Sequence, residues 1–239
     1  MPLIRSAQKH AECVKVIDQL LNWNCVSTCV NVSTKQKTED RQAALAAAAL
    51  QLAAQKSPAQ ITTGDVAAAV GITQGAVFKH FESKEAIWLA VMAQVRTSLM
   101  AQLQAAAQVH LKEGQVLQAL RAVFMAHVAF VQDQPGVPRL VFQELQHPQP
   151  SPLQASVQQL MVSYRQLVHG LLVQAQTHGQ LSKAVDLEAA TVLFVGAVQG
   201  LVMQTLMAGN LSAMALKASG VYDLYERGLQ PSASTRKKA

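Results

Sequence analysis

The chain of 239 residues is poor in several things, and each shortage excludes a class of protein. Its three cysteines, Cys13, Cys25 and Cys29, all fall in the first 29 residues and lack paired C-x-x-C spacing. That usage leaves no disulfide framework and no cysteine zinc site, and it suits a reducing compartment. Aromatic residues make up only 5%, and no run alternates β-branched with polar residues, so no strand is expected. The first residues lack the apolar core of a secretory signal, which together with the cysteine usage predicts a cytoplasmic protein. Nucleophile elbow, phosphate-binding glycine loop and H-E-x-x-H are all missing. His110, His127, His147, His169 and His178 are scattered without an i, i+4 pair. No catalytic residue, metal site or cofactor is therefore expected.

What the chain does have is apolar bulk and helix formers. Half of it is apolar and 14% is charged. Alanine, glutamine, leucine and valine abound, and most of these lose little on becoming helical. An all-α fold follows. The net charge of +6 is unevenly placed: +1 over residues 1–31, +2 over 32–96, zero over 97–230 and +3 over 231–239. A basic N-terminal half and tail around a neutral body are compatible with a polyanionic partner at one end.

Residues 1–37 hold the cysteines, Trp23 and a polar close. They are read as an N-terminal extension outside the core fold, either disordered or an artefact of start-site choice in which Val30 or Val32 marks the true start. The alternative is a helix over residues 12–21 docking on the body. Thr38 then caps a helix with Glu39 and Asp40 in its first turn and Leu45, Ala48, Ala49 and Leu52 as its buried stripe, ended by Lys56, Ser57 and Pro58.

The stretch 61–89, ITTGDVAAAVGITQGAVFKHFESKEAIWL, has the marks of a helix-turn-helix. Thr63 is expected to cap a helix that closes at Gly71, and Thr73 to cap the next. Val66, Ala67, Val70, Ile72 and Val77 supply the contacts that fix so steep a crossing, with Ala67, Ala68 and Ala69 allowing close approach. In TQGAVFKHF the buried side is Ala76, Val77 and Phe81, leaving Gln74, Gly75, Phe78, Lys79 and His80 for the opposite face. Gln74 could present a donor and an acceptor to a base edge, Gly75 admits close backbone approach, and Lys79 could neutralise a phosphate. Thr63, Thr73 and Lys84 could fix the register on phosphates.

This stretch resembles the DNA-binding domain of the TetR family of bacterial transcriptional repressors. The family pattern T-x-x-x-x-[YF]-x-H-F, followed by an S-K-E helix start, is met by Thr73, Phe78, His80, Phe81, Ser83, Lys84 and Glu85. Phe78 stands where the family more often has tyrosine. The resemblance is specific over about residues 38–95 and architectural beyond. It implies a DNA-binding domain at 38–95 and an effector-binding and dimerisation domain at 96–230, followed by a basic tail at 231–239.

Ile87, Trp88, Val91, Met92, Val95, Leu99 and Leu103 recur at helical spacing, so one long helix crosses the domain boundary. Further helices are expected at 115–131, 137–145, 153–177, 186–208 and 212–228. Residues 189–209 carry no charge over 21 positions, yet Gln199, Gln204 and the absence of a basic flank argue against a membrane span. The resemblance implies that this helix and the last pair with their twins in a homodimer, through a face with Ala189, Gly196, Gly200 and Met203. A dimer is also what one short reading helix needs to recognise a palindromic operator in double-stranded DNA. The resemblance further implies an effector pocket in the body, with Phe124, His127, Phe142, Tyr164 and Met203 as candidates and an uncharged or lipophilic small molecule as ligand. The function expected is a repressor released from its operator by that effector. The alternative is an all-helical small-molecule binding protein or enzyme with a vestigial helix-turn-helix.

Overall fold

The computed structural model describes residues 38–209 and 213–230. The expectations for residues 1–37, for the tail 231–239 and for a helix start at Ser212 fall outside them. Among the described residues the fold is all-α, with helices α1 (Thr38–Ala53), α2 (Thr63–Val70), α3 (Gln74–Val77), α4 (Lys84–Leu111), α5 (Val116–Asp133), α6 (Gly136–Leu145), α7 (Pro152–Thr177), α8 (Leu187–Ala208) and α9 (Ala213–Leu229). A single 3-10 turn, Pro58–Gln60, sits between α1 and α2.

Local chemistry sets most of the boundaries. Thr62, not Thr63, caps α2: its hydroxyl accepts from the Asp65 N–H at 3.0 Å while the Asp65 carboxylate accepts from the Thr62 N–H at 2.7 Å. This reciprocal box satisfies two helix-terminal donors, and Thr63 becomes the first helical residue. The Thr62 N–H first, then Lys56 at 3.0 Å, draws the Asp65 carboxyl down to about 2. Gly71, at φ 72°, ends α2 in the left-handed region. Its N–H reaches the Ala68 carbonyl and that of Ile72 reaches Ala67, a turn that a Cβ would strain. Thr73 and Ser83 cap α3 and α4, accepting from Ala76 and Ala86.

Farther on, a residue distant in sequence does the capping. Gln180, from the loop after α7, accepts from Val116 N–H at 3.0 Å and donates to the Gly114 carbonyl, holding the start of α5.

The predicted stripe of α4 is buried at every position from Ile87 to Leu103, and α4 packs on α1 at one end and on α5 and α7 along its length. At the far side of the body Phe124, Phe194 and Tyr222 meet edge to face with centroids 5.3–6.3 Å apart, and Tyr225 packs on Phe194 at 5.4 Å. The hydroxyls of Tyr222 and Tyr225 donate to the carbonyls of Leu117 and Ala190 at 3.2 Å each. These bonds let polar aromatics join an apolar core without an unpaired hydroxyl.

Helix α8 divides its surface in two. Phe194, Val195, Val198, Leu201 and Val202 are buried, and the helix packs on α5, α7 and α9. Length and apolarity alone would let it cross a membrane. Half of its surface instead completes a protein core. The other half exposes Val192 (55%), Leu193 (56%), Met203 (39%) and Met207 (81%).

Candidate nucleic-acid interface and inner cavity

The turn from Gly71 to Thr73 packs α3 against α2, with Val66, Ala67, Val77 and Phe81 buried there. Of the three small residues expected at the crossing only Ala67 is buried; Ala68 and Ala69 face solvent. Helix α3 is a single turn, shorter than the pattern TQGAVFKHF suggests, and residues 78–80 continue as turn.

Gln74, Gly75, Phe78 and Lys79 lie together on an exposed face beside the cap Thr73. Phe78 is 51% exposed, a large apolar ring half open to solvent among the described residues. Gln74 is held: its amide nitrogen donates to the Thr63 hydroxyl at 2.8 Å, so α2 orients the side chain while its oxygen and second N–H stay available. His80 sits partly inward, with Nδ1 buried and its carbonyl accepting from Gln42 of α1 at 2.9 Å. Lys84 reaches back to the Ala59 carbonyl at 2.7 Å, and partial burial lowers its pKa. Thr73, Gln74, Gly75, Phe78 and Lys79 thus form one surface, His80 stands at its inner edge, and Lys84 is engaged with the 3-10 turn.

Deeper in the chain, an apolar cavity of about 60 Å³ lies between α4, α5, α6, α7 and α8. His127, Phe142 and Tyr164 line it as expected, together with Leu99, Phe130, Met161 and Gln199. Phe124 and Met203 do not. Phe124 is consumed by the aromatic cluster, and Met203 is on the exposed face of α8. No charged side chain is among the residues lining the cavity.

Helix α6 gives that cavity one wall through Val137, Pro138, Val141 and Phe142. The same helix touches the helix-turn-helix end of the chain twice. Gly136 abuts α1 so closely that an added Cβ would stand 2.3 Å from the Leu50 carbonyl oxygen. Gln143 accepts from the Ala59 N–H at 3.0 Å and from the Ser57 hydroxyl at 3.2 Å. Sequence reasoning missed both contacts, because D-Q-P-G-V-P reads as a helix break and an interior glutamine carries no signal of a distant partner. The T-x-x-D pattern at Thr62 and Asp65 was the available sign of the true cap.

Comparison with known proteins bears on the first of these surfaces. The family model described as bacterial regulatory proteins, tetR family, matches residues 45–91, from the middle of α1 through α3 into α4. Residues 45–91 therefore match the DNA-binding domain of TetR-family regulators.

Among curated relatives, the nucleoid occlusion factor SlmA of Vibrio cholerae is 27% identical over 106 residues, 44% of this chain and 53% of that protein. The chain thus matches about half the length of such relatives. Solved structures extend the likeness in fold to the body. The regulator FadR of Bacillus subtilis, crystallised with stearoyl-CoA, superposes with a TM-score of 0.67 at 15% identity over 79% of this chain and 99% of that one. A TetR regulator from Haloarcula marismortui gives 0.68 at 14%, over 80% and 98%. The nine described helices have the TetR arrangement, a helix-turn-helix domain followed by a helical C-terminal domain.

The cavity carries a polar pair. The Tyr164 hydroxyl and His127 Nδ1 are both buried without a hydrogen-bond partner among the described residues, and their rings meet edge to face at 4.8 Å. Burial pushes the His127 imidazole down to about 4, so it is neutral at physiological pH, and holds the Tyr164 phenol above its ordinary range. The unfolded chain takes up the His127 proton near 6.5, whereas the folded chain resists until about 4. The stability contributed by the neutral histidine is whole above the upper value and is lost as pH falls through this window. Between pH 7 and pH 5 the loss is expected to be about 2 kcal/mol. Denaturant titrations at the two pH values check it, with His127→Phe expected to flatten the difference.

Proposed function

We propose that the protein is a cytoplasmic, homodimeric transcriptional repressor that holds a palindromic operator through α3 and releases it when a small apolar effector enters the inner cavity. The observation that carries the reading is the exposed surface of Thr73, Gln74, Gly75, Phe78 and Lys79 behind the left-handed Gly71 turn, within the span that matches the family. Residues 38–95 then serve as the DNA-binding domain and 96–230 as the effector and dimer domain.

In this reading the α3 N-terminus enters the major groove. Gln74, already steadied by Thr63, offers its oxygen and free N–H to a base edge. Thr73 and Lys79 contact phosphates, and Phe78 presents an apolar ring where a hydroxyl contact is lacking. His80 and Lys84 support the surface from behind.

The exposed face of α8 is the dimer contact, with Ala189, Gly196, Gly200 and Met203 on the same face as Val192 and Leu193. A Cβ at Gly196 or Gly200 would meet nothing within 4 Å in this protomer, which leaves room there for a second helix. The effector enters from the α6 side. At about 60 Å³ the cavity is far below the 300–1,000 Å³ of most small-molecule sites, so a ligand has to displace a wall. Moving α6 moves the Gly136 and Gln143 contacts with the DNA-reading end. FadR, similar in fold, binds stearoyl-CoA, which makes acyl-CoA esters the first effectors to try.

The test is a mobility shift with the DNA upstream of the protein's own gene, with and without acyl-CoA esters. Lys79→Ala is expected to weaken binding to all sequences and to flatten the log-affinity against log-salt slope by about one unit per subunit. An intact dimer that shifts no DNA at low salt would sink the proposal.

A further inference from the structure

The cavity presents a contradiction that a ligand would resolve. Its lining is apolar and uncharged, yet two polar atoms belonging to lining residues, Tyr164 Oη and His127 Nδ1, have no partner among the described residues. A buried donor or acceptor left unpaired costs about 1–3 kcal/mol, and native chains rarely leave two beside each other. Neither bonds to the other, although their rings touch. The remaining polar residue of the lining, Gln199, spends its amide N–H on the Met161 sulfur at 3.7 Å, a weak acceptor.

We infer that Tyr164 and His127 together recognise one uncharged carbonyl oxygen at the end or middle of a short apolar chain. This deepens the proposed effector role and rests on the cavity being the effector site. A carbonyl oxygen has two lone pairs and no proton. It accepts from the phenol O–H and from Nδ1–H of a neutral imidazole in that tautomer, and so pairs both orphans at once. A carboxylate or ammonium is excluded because no opposite charge lines the cavity to offset its burial. A pure alkane fits the walls and leaves both orphans unpaired. The shared chemistry is an acyl or alkyl chain with a neutral C=O, supplied either by an acyl-CoA thioester, whose charged part stays outside, or by a free ester or ketone.

The full-length dimer is titrated calorimetrically with n-hexane, 2-hexanone, methyl pentanoate, hexanoate and hexanoyl-CoA, without DNA. The carbonyl compounds are expected to bind at least about tenfold tighter than n-hexane, with hexanoate not detected, as one well-placed hydrogen-bonded group predicts. Tighter binding of hexanoyl-CoA, or of the free ester and ketone, identifies the source and supports the inference either way. Tyr164→Phe and His127→Phe should each weaken the carbonyl preference and the double variant should erase it, while n-hexane binds at least as well, which also shows that the variants fold. Equal binding of n-hexane and 2-hexanone to the unaltered protein, or a preference that survives both substitutions, overturns the inference. Operator binding is measured on the same samples. Carbonyl preference without a DNA shift would remove the regulatory reading and leave this one standing, and a DNA shift without carbonyl preference does the reverse.

Discussion

Leu193→Glu is expected to leave each protomer folded, convert the proposed dimer to monomer and lower operator affinity by on the order of 10²–10⁴-fold. Leu193 is 56% exposed on α8, so a charge there meets water in the single protomer and disturbs none of the buried residues on the opposite face. In the proposed dimer the same charge would be buried against an apolar partner surface with no cation opposite it, which is strongly unfavourable. The loss at the operator then follows from linkage. Two reading surfaces on one body make the second contact intramolecular, and separating them forfeits that effective concentration while every protein–DNA contact stays intact. Sedimentation at several concentrations and a mobility shift on full and half operators measure the two effects. A variant that stays dimeric with unchanged affinity would show that the dimer is built elsewhere.

Gly136→Ala should cost about 1–3 kcal/mol of stability, the usual range for overpacking. More telling, it should blunt the response to effector while operator affinity without effector changes little. The added Cβ would lie 2.3 Å from the Leu50 carbonyl oxygen and 3.1 Å from the Ala53 Cβ. The closest of these is backbone in the last turn of α1, so the helices have to separate. Gly170→Ala in α7 is the matched control, since a Cβ there meets nothing within 4 Å. It should stabilise slightly, as alanine for glycine in a helix does. If thermal unfolding shows the two variants equally stable, the tight junction between α6 and α1 is wrong.

Helical periodicity made the fold legible. The α4 stripe recurs every three or four residues and faces a continuous core, so spacing alone placed it, and the glycine- and proline-marked breaks set the later helices to within two residues at each described end. What spacing could not supply was the partner across the gap. Phe124 and Tyr164 are both aromatic and fully buried, and nothing along the chain says that one stacks in the core while the other lines the cavity. Thr62 and Thr63 are neighbours of one type, and the choice of cap was made by Asp65 three residues on. Lys84 has the charge of a phosphate ligand, but the Ala59 carbonyl, 25 residues earlier, claims it first. Each of these is decided by a tertiary neighbour rather than by local pattern.

The four residues of α3 have a further consequence. One helical turn cannot persist alone in water, since its nucleation cost exceeds what its few internal bonds return. The shape proposed to meet DNA is therefore on loan from Val77 and Phe81 beneath it and from the Thr73 cap and the Gln74 to Thr63 tie at its rim. Its amides are expected to exchange among the fastest in the domain, and a bound operator to slow them. For this surface, folding and recognition draw on the same free energy.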